Sequence, residues 1–160
     1  MERPRRYRRH ARIREAAAPR YPSAPQAQDV AGVLLDSDVI IEILRGRAWA
    51  VDAAAELRSA GARSYHCAIS VAEVYAGVRP GEEAVTEAFF SARGDIPIDA
   101  AIGRRAGSYL ARFSRSHGVE IADALIAAVA ASASLPLWTL NRRHYPMPDV
   151  TFFEPPRRRR

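Results

Sequence analysis

Two carboxylates interrupt an apolar run in VLLDSDVIIEILRG, residues 33–46. Asp36 follows a stretch that reads as a buried strand, and Asp38 stands where a helix begins. Three more acidic residues fall at comparable places. Glu73 closes Ser70-Val71-Ala72-Glu73 after the apolar segment SYHCAI, Asp99 follows DIPI, and Asp123 lies within IADALIAA. Carboxylates that a fold brings together are hard oxygen donors, which suit Mg2+ or Mn2+. A divalent cation held by them meets the needs of phosphodiester cleavage. It stabilises charge at the phosphoryl oxygens and makes a water nucleophilic. A site made of carboxylates would also repel a nucleic-acid backbone. Basic groups on its rim would then be needed, and Arg142, Arg143 and the arginine-rich ends are candidates.

Each acidic position also has a plain structural reading. Asp36 can be a turn residue, with Ser37 or Asp38 capping the next helix. Ser70-x-x-Glu73 has the form of a capping box. Asp99 can cap a helix starting at Ala100, and any acid in a first turn favours the helix dipole. Asp123 fits this reading least well. It is flanked by Ile121, Ala122, Ala124, Leu125 and Ile126, and a carboxylate beside a core needs a partner. An arginine would serve, and so would a divalent cation. The positions alone leave both a metal site and a set of separate caps and salt bridges open.

The elements that would position these residues follow from pattern. Strands are predicted over 33–35, 64–69, 95–98 and within 135–140, with DVTFF, 149–153, as a further candidate. Helices are predicted over 38–45, 49–61, from Ser70 to about 76, over 81–94, from Asp99 to about Ser114, and over 121–134. The last is rich in alanine and apolar nearly all round, which places it at the centre of a core. Strands alternating with helices predict an α/β fold around a mostly parallel sheet. Such sheets carry their functional groups beyond the carboxyl ends of the strands.

Charge divides the chain of 160 residues. Every basic residue is arginine. Residues 1–28 hold eight arginines against Glu2 and Glu15, and the chain ends in RRRR. Residues 29–156 hold twelve arginines against sixteen acids, so the body is mildly acidic. The expected organisation is a basic, disordered arm over 1–29, one domain over 30–154 and a basic tail over 155–160. Both ends could attract nucleic acid without sequence preference, or be solvated tails. The chain's true start could also lie near residue 30. Cys67 is the one cysteine, which excludes a disulfide framework or a cysteine-based zinc cluster within the chain. A reducing, cytoplasmic setting is therefore expected. No apolar run approaches the ~20 residues of a membrane span, and the basic start lacks the apolar segment of a secretory signal. Cys67, in a strand-like stretch, reads as packing, and His66 and His117 show no carboxylate partner in sequence.

The segments LLDSDVIIEILRG, SVAEVYAGV, IADALIAAVA and LPLWTLNRRHYPM stand in this order over roughly residues 32–148. Together they resemble the motifs of the PIN-domain family, and within it the VapC-type toxins of bacterial toxin–antitoxin pairs. The resemblance implies a PIN-like three-layer α/β/α fold with a short central sheet. It implies Asp36, Glu73 and Asp123 as catalytic residues and ligands for Mg2+ or Mn2+, with Asp99 and Asn141 as weaker candidates. Asp38 falls where the family usually has Asn or Asp. One departure stands out: many members carry a fourth acidic residue where this chain has His144, three after Asn141, which leaves the number of metals open. The implied activity is that of an endoribonuclease that cuts RNA and so stops translation. The implied partners are a cognate antitoxin, which threads a segment over the site and often delivers an arginine, and a second copy in a homodimer. A nuclease-inactive RNA- or protein-binding module on the same fold, or a DNA-directed PIN nuclease, are the alternatives.

Overall fold

The computed structural model describes residues 32–155. The basic arm expected over 1–29, the start of order expected near Val30, and residues 156–160 of the expected tail lie outside the described residues. Four strands make one parallel sheet: β1 (Gly32–Leu35), β2 (Arg63–Cys67), β3 (Gly94–Ile96) and β4 (Leu137–Trp138), in the order β3-β2-β1-β4. The helices are α1 (Ser37–Leu44), α2 (Ala48–Ser59), α3 (Ala68–Ala76), α4 (Glu83–Ser91), α5 (Ala100–His117) and α6 (Ile121–Ala133), and a 3-10 turn follows at Arg142–His144.

Side chains alternate across a strand, and that alternation builds the layers. Val33 and Leu35 point into one core with Val39 and Ile40 of α1, Ala53 and Leu57 of α2, and Phe89 and Phe90 of α4. Leu34 points the other way, into a core with Ile102, Tyr109 and Phe113 of α5 and Ala127, Ala128 and Val129 of α6. β4 repeats the division, with Leu137 on the α5/α6 side and Trp138 on the opposite side. The result is the expected three-layer α/β/α fold. β1 is buried at all four positions because it is covered on both faces. α6 is the expected central helix, and its alanines let α5 pack closely against it. Among the described residues no helix is long and apolar enough to cross a membrane.

Several boundaries differ from the sequence reading. β2 ends at Cys67 and α3 begins at Ala68, two residues before Ser70. Ser70 therefore lies inside the helix, fully buried, and its Oγ donates to the Leu35 carbonyl at 3.3 Å. That contact replaces the expected Ser70–Glu73 capping box, and Glu73 sits in mid-helix. Residues 149–153 do not extend as a strand. They make only a parallel bridge between Phe152 and Leu137, with Leu137 N–H donating to the Thr151 carbonyl at 2.8 Å. The α4 helix is shorter than 81–94, and α5 runs one turn past Ser114 to His117.

Tyr65 on β2 spreads its ring over two glycines on neighbouring strands. A Cβ on Gly32 would stand 2.6 Å from Tyr65 Cε2, and one on Gly94 would clash with the ring still more closely. Glycine is needed at both places for close approach rather than for an unusual backbone angle. Gly94→Ala is expected to destabilise the fold by about 1–3 kcal/mol, as overpacking does. Urea denaturation checks this, and most of the loss should vanish when the same change is made in a Tyr65→Ala background. An equal loss in both backgrounds would rule out the ring as the cause.

Candidate functional site

The strand order reverses direction at β1, since β2 follows on one side and β4 returns on the other. Open parallel sheets bind ligands outside the carboxyl ends of the strands at such a switch point. A cavity of about 170 Å³ lies there, lined by Asp36, Asp38, Glu73, Asp123, Asn141, His144 and Tyr145, with Ser37 and Ile126. Four carboxylates from three different helix regions thus face one space.

Asp36 leaves β1 and is the N-cap of α1, its Oδ1 accepting from Ser37 N–H at 2.8 Å. Its other oxygen accepts from the buried Tyr145 hydroxyl at 2.7 Å. Burial, and then the charge of Asp36, push the Tyr145 hydroxyl far up from its ordinary value. Tyr145 therefore stays a proton donor to this carboxylate. Nothing local in LPLWTLNRRHYPM signals this role.

Asp38 is held from β4's side. Its Oδ2 accepts from Leu140 N–H at 3.0 Å and from Thr139 Oγ1 at 3.3 Å, while its buried Oδ1 has no partner. Burial and the neighbouring charge of Asp36 push its carboxyl up to about 6, against the hydrogen bonds from Leu140, Val39 and Thr139. An orphaned buried oxygen next to a second carboxylate is the kind of donor that a cation completes.

Asp123 lies in the first turn of α6. Its Oδ2 accepts from Glu120 N–H at 3.0 Å, as the returning half of a capping box. The structural role that its apolar neighbours argued against is therefore present, and the carboxylate faces the cavity as well. His144 Nδ1 stands 3.5 Å from Asp123 Oδ1, and His144 Nε2 stands 3.2 Å from Asn141 Nδ2. Glu73 is exposed and makes no hydrogen bond or ion pair within the described residues. Asp99 does not line the cavity. It caps α5, with Oδ1 accepting from Ala101 and Ile102 N–H at 2.9 Å, the structural reading the sequence also allowed.

The rim differs from expectation too. Arg142 is drawn away by Glu154 at 2.5 Å and by the Phe153 carbonyl, whereas Arg143 Nε donates to Asn141 Oδ1 at 2.9 Å beside the cavity. His66 is buried against Phe90, and its Nε2 lies 3.8 Å from Asp95 Oδ1, a partner not visible in the sequence. Cys67 is buried, which pushes its thiol up. None of these last side chains lines the cavity.

Among the described residues, no three His, Cys, Asp or Glu side chains already stand in a metal-holding arrangement. Both oxygens of Asp36 and one each of Asp38 and Asp123 are instead engaged by backbone N–H groups, Thr139 and Tyr145. The donor chemistry nevertheless fits a hard divalent cation. The lining offers carboxylates, an amide and an imidazole, no thiolate, and one buried oxygen with nothing to bind.

Two outcomes follow. Tyr145→Phe leaves a buried carboxylate oxygen unsatisfied and should cost about 1–3 kcal/mol, read as a lower urea midpoint at neutral pH. No shift would mean that the hydroxyl contributes nothing to stability. The raised Asp38 value means that the folded state binds this proton more tightly than the unfolded chain. Its contribution is complete below the unfolded value of 3.8 and is lost as pH rises through about 6. In cation-free buffer, Asp38→Asn should therefore gain on the parent in thermal midpoint as pH rises across this window. A difference that stays flat with pH would contradict the assignment.

Known proteins share this fold and sequence pattern. The PIN domain family matches residues 33–150. Ribonuclease VapC19 of Mycobacterium tuberculosis is 38% identical over 119 residues, 73% of this chain and 95% of that protein. The crystal structure of FitAcB from Neisseria gonorrhoeae superposes with a TM-score of 0.59 at 27% identity, over 77% of this chain and 97% of that one. A toxin–antitoxin complex from Klebsiella pneumoniae shares the fold at a TM-score of 0.60 and 23% identity, over 74% of this chain and 95% of its own.

Proposed function

Because the chain belongs to the PIN-domain family and to its VapC-type toxins, which act on nucleic acid, we propose that it is an Mg2+- or Mn2+-dependent endoribonuclease, the toxin of a toxin–antitoxin pair. The observation that carries this reading is the convergence of Asp36, Asp38, Glu73 and Asp123 on one cavity at the sheet's switch point. RNA is favoured as substrate by the 38% identity to a protein named a ribonuclease.

Asp36, Asp123 and Glu73 would hold the cation, with Asp38 behind Asp36 and Asn141 at the edge. A bound cation supplies charge against the phosphoryl oxygens and lowers the pKa of water. The residues of the chain do the positioning. Tyr145 fixes the rotamer of Asp36 by its hydrogen bond, and the start of α6 fixes Asp123. Glu73, unencumbered, orients the attacking water or accepts its proton. His144, held between Asp123 and Asn141 at the cavity wall, would contact the phosphate or a water. No covalent intermediate on the protein is needed. An antitoxin segment and a second copy are the protein partners that go with this reading.

Asp123→Asn and Asp36→Asn should each lower RNA cleavage in Mg2+ by about a hundredfold or more, since each removes part of a charge worth several kcal/mol to the transition state. Both variants should keep the parental circular dichroism. Gel-resolved cleavage of total RNA with Mg2+ and with EDTA checks this. Parental rates in Asp123→Asn, or equal rates in EDTA, would refute it.

A further inference from the structure

α5 carries four arginines, Arg104, Arg105, Arg112 and Arg115, and no acidic residue along its length. Positions 104, 108, 112 and 115 share one face of a helix, and all four are exposed. Arg105 turns aside from them. Its Nη2 meets Asp149 Oδ2 at 2.7 Å and its Nη1 donates to Ser132 Oγ at 3.1 Å. Among the described residues Arg104, Arg112 and Arg115 have no carboxylate partner, and Arg112 rests over the Phe113 ring. The helix dipole rationalises Arg115 in the last turn, but not Arg104 in the second turn or Arg112 between them.

The direction of this stripe follows from the hairpin that α5 makes with α6. Gly118, with φ of 66°, ends α5, and α6 begins at Ile121. The contact of Arg105 with Ser132 joins the early part of α5 to the end of α6, so the two helices run antiparallel. The end of α5 that carries Arg115 therefore stands beside the first turn of α6, which carries Asp123. Arg104 lies about 16 Å further along the axis, at 1.5 Å per residue. At the ~3.4 Å stacked spacing of one strand this length accommodates several phosphates. Between the arginines the exposed face offers Ser108 and Ala111, flanked by Gly107 with open space over it. That surface lacks the apolar anchors a protein partner would seek, and it leaves room for a sugar–phosphate backbone to lie close.

We propose that Arg115, Arg112 and Arg104 form the track along which the RNA backbone leaves the carboxylate cavity. The inference rests on the nucleic-acid reading of that cavity. It gives the acidic site the cationic approach that Arg142, committed to Glu154, does not supply. These are binding residues remote from the reacting bond, so their loss acts on binding.

The test uses the full chain carrying Asp36→Asn, to prevent cleavage, and a fluorescein-labelled oligouridylate read by anisotropy over a series of NaCl concentrations. Replacing Arg104, Arg112 and Arg115 with alanine should make the slope of log K against log salt shallower by about 2, at roughly 0.7 per phosphate contact on a single strand. Replacing the same three with lysine should restore the slope, because a phosphate track needs charge rather than the guanidinium fork. The lysine variant also keeps the test decisive if the alanine variant folds poorly. With Asp36 intact, the alanine variant should raise KM with kcat nearly unchanged. Cleavage by the parent with an unchanged slope in the alanine variant overturns the track and leaves the nuclease reading standing. A shallower slope without parental cleavage does the reverse. An unchanged slope with a fall from dimer to monomer in sedimentation gives the stripe to a second copy, and no binding of the oligouridylate by the parent discards the track.

Discussion

Carboxylates brought into one small cavity repel each other, and much of the surrounding architecture offsets that repulsion. A parallel sheet sends every strand's carboxyl end to the same side, where the next helix begins. The positive ends of α1 and α6 therefore meet at the cavity. Asp36 and Asp123 each accept a backbone N–H there. Tyr145 and the Thr139–Leu140 segment supply the remaining donors from the far end of the chain. Among the buried oxygens of the lining the compensation is incomplete at Asp38 Oδ1, and burial beside Asp36 weakens the acidity of Asp38. Stability and chemistry are balanced at that point, since full internal satisfaction of the acids would leave no lone pairs for a cation.

The layers were legible from the sequence because burial on both faces leaves a continuous apolar run, as in β1, and because an alanine-rich helix without a polar face can only be central. The acids were legible as strand-end and helix-start residues, and their order matched the family's motifs. What escaped was decided by distant partners. Ser70-x-x-Glu73 satisfies a local capping rule, yet Ser70 finds the Leu35 carbonyl thirty-five residues away and the helix starts earlier. Asp123 looked ill suited to capping because its neighbours are apolar, but the capping bond needs only Glu120's N–H. Tyr145 carried no local sign that its hydroxyl would reach Asp36. Arg142 and Arg143 are adjacent in sequence and indistinguishable by type, yet Glu154 claims one of them.

Charge shows the same limit. Summed over residues 29–156 the body is acidic, and the excess of arginine stands at the chain ends. The average conceals a segregation in space, with acids converging on the strand ends while α5 holds arginines alone. A net charge describes neither surface. Opposite fields side by side, one in a cavity and one along a ridge, direct an anionic polymer far more than their sum does.

The bond between Asp36 and Tyr145 spans 109 residues, and the one between Asp38 and Leu140 spans 102. A ribosome makes these partners in order, first the acids and only much later the groups that hold them. While residues 139–145 are still unmade, β1 lacks β4 beside it and Asp36 lacks its hydroxyl donor. Folding that begins during synthesis can assemble the layers around β1 and β2 but not the cavity. The long reach of these two hydrogen bonds therefore makes the cavity a late product of synthesis, complete only once residues 139–145 can dock beside β1.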